Sequence, residues 1–234
     1  MKTVGITGIS GFLGKHLAAR CERENFTVIG IGRDAFADEV RLAGLVTRCD
    51  DVVHFAGLSR HENGEYLYQI NLSLGQKLVR AAQKNSGKTP RLILGSTTHI
   101  DRDTLYHRSK RDLAALFAAS GKENVELLMP NTFGSGGKAF YNSVVSTFCR
   151  LCCDHATPER IDDVPLALIY VDRLMDEIVN ILREPEKTGK VVIPDQYHVR
   201  LPRVWEILTH LADNAVPADD FERDLALTLR SYRR

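Results

Sequence analysis

A glycine-rich run, TGISGFLG at positions 7 to 14, stands close to the start of this chain of 234 residues. The residues before it are short and apolar, which predicts a buried β-strand over 2–7. Beyond it, apolar residues recur at helical spacing and predict a helix over 12–24. Strand, glycine turn and helix in this order indicate an α/β fold.

Strands and helices continue to alternate along the first half of the chain. This alternation predicts a Rossmann-type, doubly wound parallel sheet with helices on both faces. After Pro130 the pattern changes to mostly helices. We therefore expect a dinucleotide-binding core over 1–130 and a small, mostly helical C-terminal substrate lobe over 131–234 that does not fold independently. The predicted strands are 27–31, 51–55, 91–94, 125–129, 166–171 and 191–193, and the further predicted helices are 37–46, 65–84, 105–119, 141–153, 172–183 (with Asp172 as N-cap), 201–212 and 220–231.

Composition excludes several classes of protein. Lysine and arginine number 31 against 30 aspartates and glutamates, a balance that provides no field for nucleic acid or an anionic membrane. No apolar run is long enough to span a bilayer, and a strand beginning at residue 2 leaves no room for a signal peptide. Five cysteines without an export signal predict reduced, mostly buried thiols in a cytoplasmic protein. The cluster FCRLCC has no second cluster at ligand spacing, so no metal site is expected.

Three glycines spaced by three residues fit the phosphates of a dinucleotide. Gly8 allows the tight turn, Gly11 lets the backbone approach the pyrophosphate, and Gly14 lets the helix pack closely on the strand. The amide groups that begin the helix, including those of Phe12 and Leu13, then face the phosphates. An ordinary strand-to-helix turn is the alternative, and the position after the first strand favours the dinucleotide.

The end of the second predicted strand bears on which dinucleotide binds. NAD sites usually carry an acidic residue there, which binds the ribose hydroxyls. This strand ends in Arg33, whose guanidinium can pair with a 2′-phosphate. Asp34 follows directly, so NAD(H) stays an alternative. Another alternative is that Arg33 is only a solvated surface residue. The charge pattern favours NADP(H) over NAD(H).

Tyr106 and Lys110, in YHRSK, lie four residues apart and share one face of a predicted helix. A tyrosine is a poor acid or base at neutral pH until a nearby cation stabilises its phenolate, and Lys110 can supply that cation. Lys110 can also bind the cofactor, by holding the nicotinamide ribose. A second donor should polarise the carbonyl oxygen of the substrate; Thr97 is the first candidate and Ser96 the reserve. The spacing alone is common on exposed helices, but with the glycine run and the strand-end hydroxyls it predicts a carbonyl/alcohol oxidoreductase.

These motifs resemble the extended short-chain dehydrogenase/reductase superfamily, and the resemblance covers nearly the whole chain. The segment YVDRLMDEI at 170–178 is similar to a segment of that superfamily. By the resemblance HFAG at 54–57 lies over the cofactor, which adds Ala56, Gly57 and the structural asparagine Asn71 to the cofactor site. His54 is equally compatible with a buried core residue and with a cofactor contact.

The stretch PNTFGSGGKAFYNSVVSTFCR at 130–150 narrows the resemblance to the reductase domain of enzymes that make capsule and O-antigen sugars. It implies NADPH-dependent reduction of the C4 ketone of a UDP-linked 4-keto-6-deoxy-N-acetylhexosamine. It also implies that Asn131 and Asn142 contact the nucleotide-sugar substrate, and Ser96 is a further candidate contact. In that family a cupin domain carries out the preceding epimerisation. A separate cupin-type epimerase is therefore a candidate partner, and the alternatives are a fragment of a longer protein and a relative with another substrate.

Two other functions stay open on the same fold. One is a nucleotide-sugar epimerase or dehydratase, although GSTTHID offers a dehydratase only the distant Asp101. The other is a non-catalytic dinucleotide-binding module, against which the retention of the tyrosine, lysine and hydroxyl residues argues. The long predicted helices 65–84 and 105–119 imply, by the same resemblance, a homodimer. Gly134 to Gly137 are the best candidate for a mobile loop.

Overall fold

The computed structural model describes residues 1–84, 89–121 and 123–233. It contains two compact units, Met1–Met129 with Met175–Ile193, and Pro130–Leu174 with Pro194–Arg234. This division differs from the expected one, because residues 175–193 group with the first unit rather than with the C-terminal lobe.

A six-stranded parallel sheet forms the centre of the first unit, with strand order β2-β1-β3-β4-β5-β8. Such an order, with parallel strands and intervening helices, confirms the predicted Rossmann-type α/β fold. The strands are β1 (Thr3–Thr7), β2 (Thr27–Ile31), β3 (Asp51–His54), β4 (Arg91–Thr97), β5 (Val125–Met129) and β8 (Gly189–Val192). The helices are α1 (Phe12–Arg23), α2 (Glu39–Val46), α3 (Gly64–Gln83), α4 (Leu105–Ser120) and most of α6 (Val171–Arg183).

The direction in which the sheet grows reverses at β1. The chain passes from β1 to its neighbour β2, and then returns to place β3 on the other side of β1. In doubly wound sheets the crevice at the carboxyl ends of strands next to such a reversal binds ligands. On one face α2, α3 and α4 cover a core that includes Ile31, Leu78, Leu94 and Phe117.

A buried ion pair fixes the last strand and helix of the first unit to its sheet. Arg91, at the start of β4, bonds the carboxylate of Asp51 through Nε at 2.8 Å, and both side chains are nearly inaccessible. The same guanidinium donates to the carbonyl oxygens of Ile181, Glu184 and Lys187 around the end of α6, at 2.9, 2.8 and 3.2 Å. A cation at a helix C-terminus is favourable. This arrangement explains why residues 175–193 belong to the first unit.

The second unit contains a three-stranded sheet with order β6-β7-β9. Its strands are β6 (Asn131–Phe133), β7 (Pro165–Tyr170) and β9 (Tyr197–Arg200), and its helices are α5 (Val144–Cys153), α7 (Leu201–Ala212), α8 (Asp220–Arg230) and the beginning of α6. Phe133 packs against the rings of Tyr170, Tyr197 and Phe221, with centroids 5.5 to 6.2 Å apart.

Several boundaries differ from those predicted, each for a local reason. The helix expected over 37–46 begins only after Asp38, because the side chain of Asp38 caps α2 by accepting from the amide of Val40. A 3₁₀ turn over Ala35–Ala37 precedes this cap. The helix expected from residue 141 begins at Val144, after the capping residue Ser143 and the positive φ of Phe140. Asp172 is not an N-cap but lies in the first turn of α6. Strands β6 and β9 were missed because strands of three or four residues carry too little periodicity to detect.

All five cysteines are free thiols, and four of them are buried, as expected. Burial raises the pKa of the Cys152 thiol to about 11 and also raises that of Cys149. Within the described ranges, no cluster of three or more His, Cys, Asp or Glu side chains is arranged to hold a metal ion. None of the helices described there is long and apolar enough to cross a membrane.

Replacing Asp51 by alanine is expected to destabilise the first unit by about 3 to 5 kcal/mol. The change leaves the guanidinium of Arg91 buried without its counter-charge, which is the costly way to break a buried pair. Urea unfolding measures the difference. The matched control is Asp162→Ala, which removes an exposed carboxylate paired with Arg160 at 2.5 Å and should change stability by less than about 0.5 kcal/mol. A loss below about 1 kcal/mol for Asp51→Ala would contradict the bracing role.

Candidate active site at the carboxyl ends of the strands

The turn between β1 and α1 can be built only with glycine at two positions. Gly8 has a φ of 67°, and a Cβ there would lie 2.9 Å from the amide nitrogen of Ala56. At Gly14 a Cβ would overlap the carbonyl oxygen of Gly8 and approach Cα of Ile9 to 2.7 Å. These are backbone atoms and cannot give way, so the start of α1 lies directly against the turn.

The first turn of α1 leaves its amide groups available for an anion. Gly11 caps the helix without a side-chain bond, and no acidic residue occupies the first turn. The amides of Phe12 and Leu13, both partly exposed, precede the first intrahelical bonds. Open amides, the positive end of the helix dipole and a glycine-lined approach together fit the pyrophosphate of a dinucleotide.

His54 supports the site from inside the core. It is fully buried, its ring centroid lies 6.5 Å from that of Phe36 and 5.8 Å from that of Phe117, and Nδ1 lies 2.8 Å from Oγ1 of Thr7. Burial, followed by the charge of Lys110, lowers the pKa of His54 to about 3, so the ring is neutral. The ring is buried in the core, and its Nε2 has no hydrogen-bond partner among the described residues. A cofactor contact of His54 stays a prediction.

The loop HFAG is held at both of its ends. Oγ1 of Thr7 accepts a bond of 3.0 Å from the amide of Ala56. Asn71 is buried on α3 and binds both backbone groups of Leu58, accepting from its amide at 2.7 Å and donating to its carbonyl at 2.9 Å. Its Nδ2 also lies 3.1 Å from Oγ of Ser109 on α4. Asn71 therefore ties the loop to α4, and its amide oxygen lies 2.8 Å from the place that a Cβ at Gly57 would take.

Tyr106 and Lys110 lie one turn apart on α4, as predicted. Tyr106 is partly exposed, whereas Lys110 is buried and donates from Nζ to the carbonyl oxygen of Gly95 at 2.7 Å. The ammonium nitrogen lies 5.9 Å from the centre of the Tyr106 ring. Burial lowers the pKa of Lys110 to about 8, and the charge of Glu126 opposes that effect. A cation held this close to the tyrosine favours its ionised form.

The two hydroxyl candidates at the end of β4 differ in their bonds. Ser96 is buried and donates its proton to Glu126 Oε1 at 2.9 Å. Thr97 accepts from the amide of His99 at 3.1 Å, which leaves its own hydroxyl proton for another acceptor. Neighbouring residues of a strand point to opposite faces. The geometry therefore favours Thr97 over Ser96 as a donor to a bound ligand.

Arg33 and Asp34 follow β2 and are both exposed. The carboxylate of Asp34 is paired with Arg41 of α2 at 2.7 Å and folds back over Gly32, where a Cβ would lie 2.7 Å from Oδ1. Asp34 is the acid that keeps NAD(H) as an alternative to NADP(H) in the sequence, and it is already paired with a cation.

The predicted substrate residues Asn131 and Asn142 lie in the second unit. Asn131 begins β6, Asn142 lies just before the cap of α5, and both are exposed. Sequence reasoning missed Ser109, Glu126 and Arg41. Only Glu126 carried a visible signal, as an acid inside the apolar strand VELLM.

Comparison with known proteins agrees with this arrangement. The model of the NAD dependent epimerase/dehydratase family matches residues 4–191. The chain therefore belongs to that family, which confirms the relationship expected from its motifs.

Particular relatives share the fold or the sequence to different degrees. The chain is 28% identical over 183 residues to the UDP-2-acetamido-2,6-beta-L-arabino-hexul-4-ose reductase of Pseudomonas aeruginosa, a match that covers 76% of this chain and 48% of that protein. It superposes on the capsular polysaccharide assembling protein CapF from Staphylococcus aureus with a TM-score of 0.81 and 28% identity, over 98% of this chain and 64% of CapF. The chain thus spans less than two thirds of either relative.

A solved epimerase shows the same fold at lower identity. The UDP-glucose 4-epimerase of Thermus thermophilus, in complex with NAD, gives a TM-score of 0.82 at 15% identity, over 99% of both chains. At that identity the likeness concerns the fold alone.

Replacing Gly14 by alanine is expected to lower the affinity for a nicotinamide dinucleotide by more than tenfold, because the added methyl group overlaps backbone atoms of the turn. The change in NADPH fluorescence on binding measures the affinity. Gly44→Ala is the matched control: a Cβ at Gly44, on exposed α2, meets nothing within 4 Å. It should bind the dinucleotide normally and gain about 0.5 to 1 kcal/mol of stability. Unchanged binding in Gly14→Ala would contradict the close approach.

Proposed function

We propose that the chain is an NADPH-dependent reductase of the C4 ketone of a UDP-linked 4-keto-6-deoxy-N-acetylhexosamine, in the synthesis of capsule or O-antigen sugars. The observation that carries the proposal is the buried ammonium group of Lys110 beside Tyr106 at the end of β4. The substrate class comes from the relatives, since one is named as a reductase of a UDP-linked hexul-4-ose and the other as a capsular polysaccharide assembling protein.

The residues divide the work of the reaction. The dinucleotide, when bound, supplies the hydride. Tyr106 gives its phenolic proton to the carbonyl oxygen of the substrate, and Lys110 stabilises the phenolate that remains. Thr97 donates a hydrogen bond to the same oxygen and polarises the carbonyl. Gly8, Gly11 and the first amides of α1 hold the pyrophosphate, and Asn71 fixes the loop that covers the cofactor.

The second unit is the proposed binding region for the nucleotide-sugar. Asn131 and Asn142 are its candidate contacts, because both present exposed amide side chains. Ser96 is a weaker candidate than at the sequence level, since its hydroxyl proton is given to Glu126.

An epimerase is the second candidate function. It is favoured by the description of the family to which the chain belongs, NAD dependent epimerase/dehydratase. The two functions differ in how the cofactor is used, because an epimerase recycles a tightly held NAD whereas a reductase consumes NADPH. Cofactor retained through purification would favour the epimerase. A non-catalytic module is the weaker alternative, because Thr97, Tyr106 and Lys110 are all present.

NADP(H) is the proposed cofactor because of the charges beyond β2. Arg33 is exposed and follows the end of β2 by two residues, and the acid that binds ribose in NAD sites usually stands at the end of this strand. Asp34 is paired with Arg41 at 2.7 Å, although both side chains are more than half exposed and such a pair is weak. A 2′-phosphate would find a planar, permanently charged donor in Arg33.

Three further proposals concern the oligomeric state, the partner and the location of the enzyme. A homodimer through α3 and α4, with a separate cupin-type epimerase as a working partner, stays a prediction that a solution mass and a co-purification would test. The cytoplasm is the proposed location, because five free thiols are typical of a reducing compartment.

Replacing Tyr106 by phenylalanine is expected to reduce turnover of a UDP-4-keto-6-deoxy-N-acetylhexosamine by about 10²- to 10⁴-fold, since the proton donor is lost. NADPH oxidation, followed by its absorbance, measures the rate, and fluorescence should show NADPH binding within about twofold of wild type. Tyr66→Phe removes a hydroxyl from an exposed ring on α3 and should leave the rate unchanged. Absence of wild-type turnover on this substrate, with NADPH bound, would overturn the proposed function.

Replacing Arg33 by alanine is expected to weaken NADPH binding by about tenfold or more and to leave NADH binding almost unchanged, because only NADPH carries the 2′-phosphate. Paired fluorescence titrations with the two cofactors measure the ratio. Arg48→Ala, which removes another exposed arginine near the end of α2, is the control and should change neither affinity. An equal loss for both cofactors would contradict a phosphate contact.

A further inference from the structure

Glu126 is an acid in the middle of a strand whose other residues are all apolar and buried. The strand β5 lies inside the sheet, between β4 and β8, and the side chain of Glu126 is only 12% exposed. A carboxylate placed there loses most of its hydration, which is unfavourable unless charged or hydrogen-bonding partners compensate. Its partners therefore indicate why an acid occupies this position.

Two side chains contact the carboxylate directly. Ser96 of β4 donates to Oε1 at 2.9 Å, and Nζ of Lys190 on β8 lies 3.9 Å from Oε2. The strand register places Glu126 opposite both Leu94 and Lys190, so that Ser96, two residues beyond Leu94, shares its face of the sheet. Lys190 is more than half exposed, and a pair of that kind at 3.9 Å is weak. Lys190 thus compensates only part of the charge of Glu126.

The same short stretch of β4 also receives Lys110. The ammonium group donates to the carbonyl oxygen of Gly95, the residue before Ser96, at 2.7 Å. Lys110 and Glu126 are thus bonded to consecutive residues of one strand end. The other titratable groups near this ammonium are His54 of β3, which burial keeps neutral, and Tyr106 of the same helix. The negative charge of Glu126 opposes the effect of burial on the pKa of Lys110.

We propose that Glu126 is a positioning residue that keeps Lys110 protonated, with Ser96 holding the carboxylate in place beneath the end of β4. The inference rests on the proposed reductase function, since it is the charge of Lys110 that prepares Tyr106 for proton transfer. Glu126 touches neither substrate nor cofactor in this role.

The sign of the effect follows from the direction of the shift. Burial has already brought the pKa of Lys110 down to about 8, so the lysine is mostly protonated at neutral pH with little margin. Removing a negative charge lowers that pKa further, and Lys110 then loses its proton at a lower pH. A single charge near a buried group in a protein interior changes the pKa of that group by about 0.5 to 1 unit.

The direct test is a titration of Lys110 by NMR with lysine ¹³C-labelled at Cε, in which the signal is assigned by its absence from Lys110→Arg. In Glu126→Gln, which keeps the acceptor for Ser96 and removes the charge, the pKa of Lys110 should fall by about 0.5 to 1 unit. Glu126→Met is a second uncharged variant, since apolar replacements of buried charges are often neutral for stability. An unchanged Lys110 pKa in the folded uncharged variants would overturn the proposal.

Two controls separate charge from structure. Glu123→Gln removes the same charge from an exposed position just before β5 and should not move the titration of Lys110. Ser96→Ala removes the hydrogen bond and keeps the charge, so its shift should be smaller than that of Glu126→Gln. An equal shift in Ser96→Ala would assign the effect to the hydrogen bond and overturn the electrostatic role.

Activity gives a second readout that a merely structural role would not move. In Glu126→Gln, kcat/KM for the keto sugar should decline at a pH about 0.5 to 1 unit lower than in wild type and should recover at lower pH. A uniform loss at every pH would contradict the proposal. Failure of the wild type to reduce any keto sugar would count against the proposed function alone, because the titration of Lys110 needs no substrate.

Discussion

The burial of the Lys110 ammonium group at the end of β4 is the constraint on which the active site depends. An ammonium group leaves water only where hydrogen bonds and opposite charge compensate its lost hydration. Here the carbonyl oxygen of Gly95 supplies the bond and Glu126 supplies the charge. The compensation requires α4 to lie close over the strand end, and that closeness brings the partly exposed Tyr106 to the same place.

Other contacts hold α4 in that position. Asn71 joins Ser109 on α4 to the backbone of Leu58, and Thr7 joins the same loop to the end of β1. The glycine turn, the HFAG loop and α4 are therefore connected by a few hydrogen bonds. These bonds join residues 13, 38 and 49 positions apart, so the arrangement depends on the tertiary structure.

Charge in this protein acts locally rather than over long distances. The overall balance of acids and bases is close to neutral, so charge acts through individual ion pairs. Arg41 pairs with Asp34 beside the exposed Arg33, and Arg91 pairs with Asp51 at the opposite ends of the strands. In both places the carboxylate is already paired with an arginine, which the net charge of the chain does not reveal.

The sequence by itself determined the α/β class, the glycine turn and the pairing of Tyr106 with Lys110, because these depend on local periodicity and on spacings within one turn or one helix. It also indicated the family, since the motifs occur in a fixed order. It ranked Thr97 before Ser96 but could not show what each hydroxyl binds, and it could not show what surrounds His54. Those answers depend on which strand lies beside which, and so on partners such as Glu126 and Thr7 that are 30 or more residues away. The sequence also could not show that residues 175–193 belong to the first unit. That assignment depends on Arg91, which binds the end of α6 about 90 positions later in the chain. Local patterns fix elements, whereas burial and long-range pairing, which only the tertiary structure creates, decide what each side chain does.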